Sequence, residues 1–490
     1  MNLIMLLEMV AQADPDRVAV TAGERDVTYG ELLTLAHEYA AGIEDGGAPL
    51  AAYLGENSPE AVALLFAASL SGVPYAPINY RWTDEQITEA LGRIAPLTVL
   101  ADEGCASRVP AIDSVSVLER RPGAAMDGAL PDDDAAAVLL FTSGTTSAPK
   151  AAVLRNRHLV PYVLETIDFL NAAPDEAILV SVPPYHIAAV SSVLTSVYSG
   201  RRMVQLITFD PQLWVDTVRR EKVTQAMVVP TMLNRILDVV EADGQGLAHL
   251  RHLSYGGGRM PAQVVERAMT LLPDLNLVNA YGLTETSSTI TLLSPDDHRE
   301  AAASTDPTVR ARLGSVGKAL PSIEIEIRDA DGGALPPGRA GEIFVRGDQV
   351  SGEYLSHKAT DASGWYPTRD RGHLDADGFL FLDGRADDVI VRGGENLSPS
   401  EIEDRLGAHA SVAESAVIGV PDTEWGERVE AFVVPAAGTA PGAQELQAWV
   451  REALRSTKVP AAIHFVDELP YNETGKLLRR ELRAQLAPAT

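Results

Sequence analysis

Short apolar runs in this chain stop at loops rich in glycine, proline and hydroxyls, and helical patterns fill the intervals between them. Ala136 to Phe141 is one such run, followed by Thr142-Ser143-Gly144-Thr145-Thr146-Ser147-Ala148-Pro149-Lys150. Ile178 to Val182 ends at Pro183-Pro184-Tyr185-His186. Gln225 to Val229 ends at Pro230 and leads into a helical pattern from Met232 to Val240. Leu275 to Ala280, broken only by Asn276 and Asn279, ends at Tyr281-Gly282. Runs of this length with helical crossovers predict largely parallel sheets covered on both faces. Ligands of such folds lie beyond the carboxyl ends of the strands. Three of those ends here carry polar or glycine-rich segments.

The pattern changes near residue 315. Ile323, Ile325 and Ile327 alternate with Glu324, Glu326 and Arg328, as in a half-buried strand. Turns at Asp329–Gly333 and Asp375–Gly378 bracket further strands, which predicts a small antiparallel sheet or barrel. Gly384-Arg385-Ala386-Asp387-Asp388 interrupts them with charge and glycine. A helix opens at Pro399-Ser400-Glu401. Ala416 to Val420 and Val429 to Val434 then read as strands joined by a polar loop that holds Trp425. A domain boundary is expected near 385, with a small α+β domain after it.

Composition narrows the class. The chain has 490 residues, 46% of them hydrophobic, enough for a sizeable core and several structural units. Its net charge of −28 argues against nucleic acid or an anionic lipid surface as partner, since both need a cationic footprint. Cys105 is the single cysteine, so no intrachain disulfide or cysteine metal cluster forms, as suits a reducing compartment. No secretory leader is evident in residues 1–14, and no apolar run is long enough for a membrane span. Ala61 to Leu70 reads as a buried helix, opened by Ser58-Pro59-Glu60 with a capping hydroxyl, a first-turn proline and an acidic charge. A cytoplasmic protein is expected.

Thr142 to Lys150 is the strongest local signal. Gly144 allows a tight turn, successive amides form an anion nest, hydroxyls add donors and Lys150 adds a point charge. The alternative is a Ser/Thr-rich surface loop. A Walker A loop needs Gly-Lys-Ser/Thr opening a helix, so a P-loop kinase or GTPase is disfavoured. In Tyr281-Gly282-Leu283-Thr284-Glu285-Thr286 an aromatic can stack on a base and Glu285 can hold a hard cation such as Mg²⁺. The alternative is an ordinary strand-to-helix turn capped by Thr284. Tyr255-Gly256-Gly257-Gly258 is a further loop suited to close approach.

Together these segments resemble the adenylate-forming superfamily, which includes acyl-CoA and aryl-CoA synthetases, the adenylation domains of peptide synthetases, and beetle luciferase. The resemblance covers nearly the whole chain in order. Thr142 to Lys150 is similar to the family's phosphate loop, and Tyr281 to Glu285 to its Tyr-Gly-x-Thr-Glu motif. Tyr366-Pro367-Thr368-Arg369-Asp370 stands at its Thr-Gly-Asp motif, Gly384 to Asp388 at its hinge and Asn472-Glu473-Thr474-Gly475-Lys476 at its terminal lysine motif.

The resemblance implies an α/β fold. A large body, residues 1–384, would hold two mostly parallel α/β subdomains and a small antiparallel β-barrel over about 310–384. A mobile α+β lid, residues 385–490, would turn on a hinge at 385–388, with Asp387 as the hinge residue. It also implies roles. Thr142, Ser143, Gly144, Thr145, Thr146 and Lys150 would embrace the phosphates of ATP. Tyr281 would stack on adenine, with Gly256, Gly257 and Gly258 lining the nucleotide and acyl pocket. Asp370 would bind the ribose hydroxyls. Arg385 would reach ribose or phosphate, Thr284 would touch phosphate, and Glu285 would engage Mg²⁺. Lys476 would contact the reacting carboxylate and the α-phosphate. His186 would border the acid, in a pocket drawing on Tyr185, Ile187, Ala188, Val190, Gly257 and Gly282. Gly393 and Gly394 would line a channel for the pantetheine of coenzyme A, and Trp425 would lie near its adenine.

The implied activity is ATP-dependent formation of an acyl-adenylate from a carboxylic acid, with pyrophosphate released, then transfer to coenzyme A with AMP released. An aryl or medium-chain acid suits the small and apolar pocket positions. The rivals are transfer to the phosphopantetheine of a carrier protein, capture of the adenylate by an amine or activation of an unusual oxyanion, and a non-catalytic binding protein. Several positions depart from the family pattern. Ser147, Ala151-Ala152, Arg369, Arg392 and Ala189 stand where Gly, Gly-Val, Gly, Lys and Gly are usual. Either a monomer or a homodimer is compatible with the sequence.

Overall fold

The computed structural model describes residues 1–128, 132–142, 150–258, 260–385, 388–393, 395–471 and 477–486. Two large sheets form the body. The first has six strands, ordered Val115–Val117, Leu97–Ala101, Ala51–Leu54, Tyr75–Ile78, Ala136–Thr142 and Lys150–Arg155. Every neighbouring pair is parallel except the last. The second sheet has nine strands, with a parallel centre running through Ala177–Val180, Gln225–Val228, His252–Gly256 and Asn276–Leu283. Antiparallel pairs close both of its ends.

Helix Pro59–Leu70 shows how local sequence sets this body. Ser58 Oγ accepts from the Ala61 amide at 3.1 Å, Pro59 occupies the first turn and Glu60 adds favourable charge there. Its sides are apolar all round, and Ala63, Leu64, Phe66 and Ala67 have no solvent exposure. A helix of that kind belongs inside a layered core. Among the described residues no helix is long and apolar enough to cross a membrane.

The segment after residue 315 forms a four-stranded antiparallel sheet, Glu324–Arg328, Gly341–Arg346, Tyr366–Leu374 and Leu380–Arg385. Its first and last strands are its edges, so it is an open sheet rather than a barrel. The C-terminal sheet has five strands built on a long hairpin, Val412–Asp422 with Gly426–Pro435. Both hairpin strands run longer than their apolar cores, because main-chain pairing continues to the Trp425 turn through polar residues. Ala462–Phe465 adds in parallel to Gly426–Pro435, and helices Pro399–Gly407, Ala443–Ala453 and Arg479–Leu486 complete this α+β unit.

Candidate active site

Three residues far apart in sequence meet at the edge of the small sheet. The Tyr281 hydroxyl donates to Asp370 Oδ2 at 2.6 Å, and Arg385 Nη1 lies 3.1 Å from Asp370 Oδ1. Tyr281 and Asp370 are buried. Burial, with the Asp370 carboxylate adding to it, pushes the Tyr281 phenol well above its ordinary value, so the hydroxyl stays a donor. Asp370 and Arg385 are register partners on adjacent strands. A kink aims Asp370: Arg369 adopts φ +63°, Thr368 Oγ1 accepts from the Asp370 amide at 3.1 Å, and the same hydroxyl donates to Ile343 O. The left-handed φ accounts for the glycine usual at position 369 in the family pattern, and Arg369 takes that conformation despite its Cβ.

Glu285 sits in a hairpin turn, not at the start of a helix. Strand Asn276–Leu283 ends in one 3₁₀ turn, Thr284–Thr286, and the chain returns as Ser288–Leu293. Thr284 therefore caps no helix, and Thr286 does the capping. Its hydroxyl accepts from the Leu283 amide at 2.9 Å, and Gln349 Nε2 donates to Thr286 O and Thr289 O. Ser287 and Ser288 have φ of +54° and +108°. A Cβ on Gly282 would lie 1.8 Å from Ser288 O, so only glycine admits this close return. Gly256 is held likewise: a Cβ there would lie 2.3 Å from Ala280 O. Gly257 has φ +75°, a second position that favours glycine.

The phosphate-loop segment also returns as a strand, since Thr142 pairs with Lys150 in an antiparallel ladder. That geometry differs from a loop opening a helix, as the absence of a Walker A pattern predicts. Thr142 and Lys150 are at the stem of this loop. Ser143, Gly144, Thr145, Thr146 and Ser147 lie outside the described residues, as do Asp387, Gly394 and Lys476.

His186 is the residue before helix Ile187–Ser199, with its ring 4.8 Å from that of Tyr185. Tyr185 packs edge-on against Tyr80 at 5.7 Å. Ser191 on this helix accepts from Ser288 Oγ at 3.0 Å, which joins the helix to the Glu285 hairpin. Ile187 is half-buried at the helix start. Val190 lines a small half-open cavity with Asn57, Tyr75, Pro184, Val193 and Gln205.

In the C-terminal unit, Gly393 and Trp425 come together. The Gly393 amide donates to Trp425 O at 2.8 Å, and a Cβ on Gly393 would lie 3.0 Å from the indole. Gly393 has φ +59°, and Trp425 is 48% exposed. Arg392 Nη1 donates to Thr457 O at 2.6 Å. Asp388, beside the hinge position, faces Arg479 at 3.7 Å and Arg483 at 3.4 Å.

A magnesium ion fits the Glu285 site on the chemistry of its donors. Glu285 is a buried carboxylate with one oxygen bonded to Tyr354. No group of three or more His, Cys, Asp or Glu side chains gathers among the described residues. One carboxylate with phosphate oxygens and water is a usual magnesium environment; an all-protein cage is not. Tyr354 and Gln349, which shape this turn, carried no motif or periodicity by which they would stand out in the sequence.

The model for the AMP-binding enzyme matches residues 7–355, and that for the AMP-binding enzyme C-terminal domain matches residues 401–476. The chain belongs to this family. It is 32% identical to a fatty acid–[acyl-carrier-protein] ligase of Streptomyces coeruleorubidus, over 98% of this chain and 96% of that protein. It is 33% identical to a feruloyl-CoA synthase of an Amycolatopsis species, over 96% of each. The o-succinylbenzoate CoA synthetase of Bacillus subtilis, solved with its acyl-adenylate intermediate, superposes with a TM-score of 0.85 at 29% identity, covering 99% of this chain and 98% of that one. The protein is an AMP-forming ligase: it activates a carboxylate with ATP to an acyl-adenylate.

Proposed function

We propose that the acid is aryl or medium-chain, that coenzyme A rather than a carrier protein takes the acyl group, and that the protein works in the cytoplasm. The observation that carries the active-site assignment is the meeting of Tyr281, Asp370 and Arg385, from separate strands, beside the Glu285 hairpin. On this reading Asp370 accepts from the ribose diol, with Tyr281 and Arg385 holding its carboxylate in place. Thr142, Lys150 and the loop between them cradle the phosphates. His186, Ile187 and Gly282 border the acid. A neutral imidazole at His186 can donate one hydrogen bond without disturbing the phosphate charge.

The acid oxygen attacks the α-phosphorus, the α–β bridging bond breaks and pyrophosphate leaves. Charge builds on phosphoryl oxygens, so catalysis is chiefly positioning and preorganised electrostatics. Lys476 supplies cationic charge there. A bound magnesium would supply further charge neutralisation. The thiolate then attacks the acyl carbon and AMP leaves. We place the domain boundary at 385, with rotation at Asp387 withdrawing Lys476 and bringing the Gly393 loop to the thiol channel. The contact of Gly393 with an exposed Trp425 supports coenzyme A as acceptor: a glycine backbone and an open indole suit a narrow arm ending in a nucleotide.

ATP–pyrophosphate exchange over a panel of aryl and alkyl acids tests this reading. Exchange is expected with one class, followed by a coenzyme A thioester in intact-mass analysis. Exchange with none of the acids, together with no ATP binding in calorimetry, overturns it. Acylation of a holo-carrier in preference to coenzyme A reassigns the acceptor.

A further inference from the structure

The segment Ser351–Leu355 binds both halves of the nucleotide site. On one side the Ser351 and Gly352 amides donate to Glu285 O at 2.9 and 3.0 Å. On the other side Val153 N donates to Glu353 O at 2.8 Å, Leu355 N donates to Ala151 O at 3.0 Å, and Ser351 Oγ donates to Val153 O. Arg155 clamps Glu353 with two bonds, Nε at 2.8 Å and Nη2 at 2.6 Å. The stem of the phosphate loop and the Glu285 hairpin are thus fastened to one short piece of chain.

Tyr354 lies at the centre of this brace. Its hydroxyl donates to Glu285 Oε1 at 2.5 Å and lies 3.4 Å from the Tyr366 hydroxyl. Lys150 Nζ lies 5.9 Å from the centre of the same ring, and His357 stacks on it at 5.0 Å. Glu285 is buried, and a buried carboxylate needs partners for both oxygens. A hydroxyl donor on one oxygen fixes the rotamer and leaves the other, Oε2, to a cation.

We infer that Tyr354 is a positioning residue for the reaction: its hydroxyl occupies Glu285 Oε1 and so presents Oε2 to magnesium, at a spacing from Lys150 set by the same ring. This rests on the assignment of Glu285 to magnesium. An outer hydrogen-bond partner of a metal-binding carboxylate commonly affects affinity about 10–100-fold.

Tyr354→Phe removes the hydroxyl and keeps the ring, and with it the Lys150 and His357 contacts. In the full-length variant the magnesium midpoint of pyrophosphate exchange is expected to rise about 10-fold while the KM for the acid stays unchanged. Manganese binding, followed by electron paramagnetic resonance with a non-hydrolysable ATP analogue and no acid, is expected to weaken by a similar factor. Thermal unfolding checks that the variant folds. Glu285→Gln is run beside it. Metal curves for Tyr354→Phe that overlay the parent while Glu285→Gln shifts them overturn the role of Tyr354 alone. Curves that move with neither substitution overturn the magnesium assignment and this inference with it.

Discussion

Arg479 faces Asp388 at 3.7 Å, so helix Arg479–Leu486 is tied to the last residue of the proposed hinge at 385–388. The guanidinium also donates to Glu403 Oε1 at 2.5 Å and to Val417 O at 3.2 Å, while the Val417 amide donates to Glu403 Oε1 at 2.8 Å. Removing one partner of such a half-buried set leaves the others partly uncompensated.

Arg479→Met is therefore expected to destabilise the C-terminal unit by about 1–3 kcal/mol, between the values for an exposed and a buried ion pair. Glu403→Gln added to it should recover part of that loss. Urea denaturation of the two single variants and the double variant forms the cycle, and additive losses would refute the coupling.

Arg369 holds a left-handed conformation that costs a non-glycine residue about 1–2 kcal/mol. Arg369→Gly removes that strain and adds freedom to the unfolded chain. A net gain of about 0.5–1 kcal/mol is expected in the urea midpoint. The KM for ATP should change little, because the kink that aims Asp370 is retained. A lower midpoint would show that the Arg369 side chain contributes more than its backbone costs.

His158 is buried, and burial with the Arg157 cation pushes its imidazole down to about 4. Above pH 6.5 it is neutral both folded and unfolded. As the pH falls from 6.5 towards 4, the unfolded chain binds a proton that the folded one does not, and stability declines. The loss by pH 4 is on the order of 3 kcal/mol. His158 Nδ1 accepts from the Arg155 amide at 3.2 Å, a capping contact that glutamine can also make. His158→Gln should therefore flatten the fall in melting temperature between pH 6.5 and 4. An unchanged pH profile would sink this account.

Gly393→Ala meets both a positive φ and an indole 3.0 Å away. Pyrophosphate exchange should stay within about 2-fold of the parent, while the KM for coenzyme A rises about 10-fold or more, a loss of about 1.4 kcal/mol or more in binding. Steady-state kinetics of each half-reaction separates the two. Equal losses in both steps would place the glycine in the general fold instead.

Legibility followed the range of the interactions. The Ser58 cap, the glycines at 256, 257 and 282, and the strand end at Thr142 are local features that the sequence marks, whereas strand Asn276–Leu283 runs three residues past the expected end at Ala280 because it pairs with Ser288–Leu293. The partnership of Tyr281, Asp370 and Arg385 was visible as separate motifs, but their mutual hydrogen bonds depend on strand register. A helix cap is the alternative local meaning of Thr284, a hydroxyl after a strand, beside the phosphate contact that the family resemblance implies. The hairpin return instead gives the capping work to Thr286, through pairing with Ser288–Leu293. Tyr354 and Gln349 act only through tertiary contacts with Glu285 and Thr286, and no periodicity marks such residues. Arg369 stood out as a departure from a glycine pattern, and only its φ explains what the glycine is for.

The brace at Ser351–Leu355 bears on synthesis of the chain. The ribosome delivers the phosphate-loop stem and the Glu285 hairpin well before Tyr354, Asp370 and Arg385 emerge. ATP can favour the native state only by binding it more tightly than the unfolded chain. A nascent chain that ends before Tyr354 has the strands of the two large sheets but lacks the Tyr354 phenol, the Asp370 carboxylate and the Arg385 guanidinium of the proposed nucleotide site. The apolar packing of those sheets must therefore carry early folding without help from the cell's nucleotide pool.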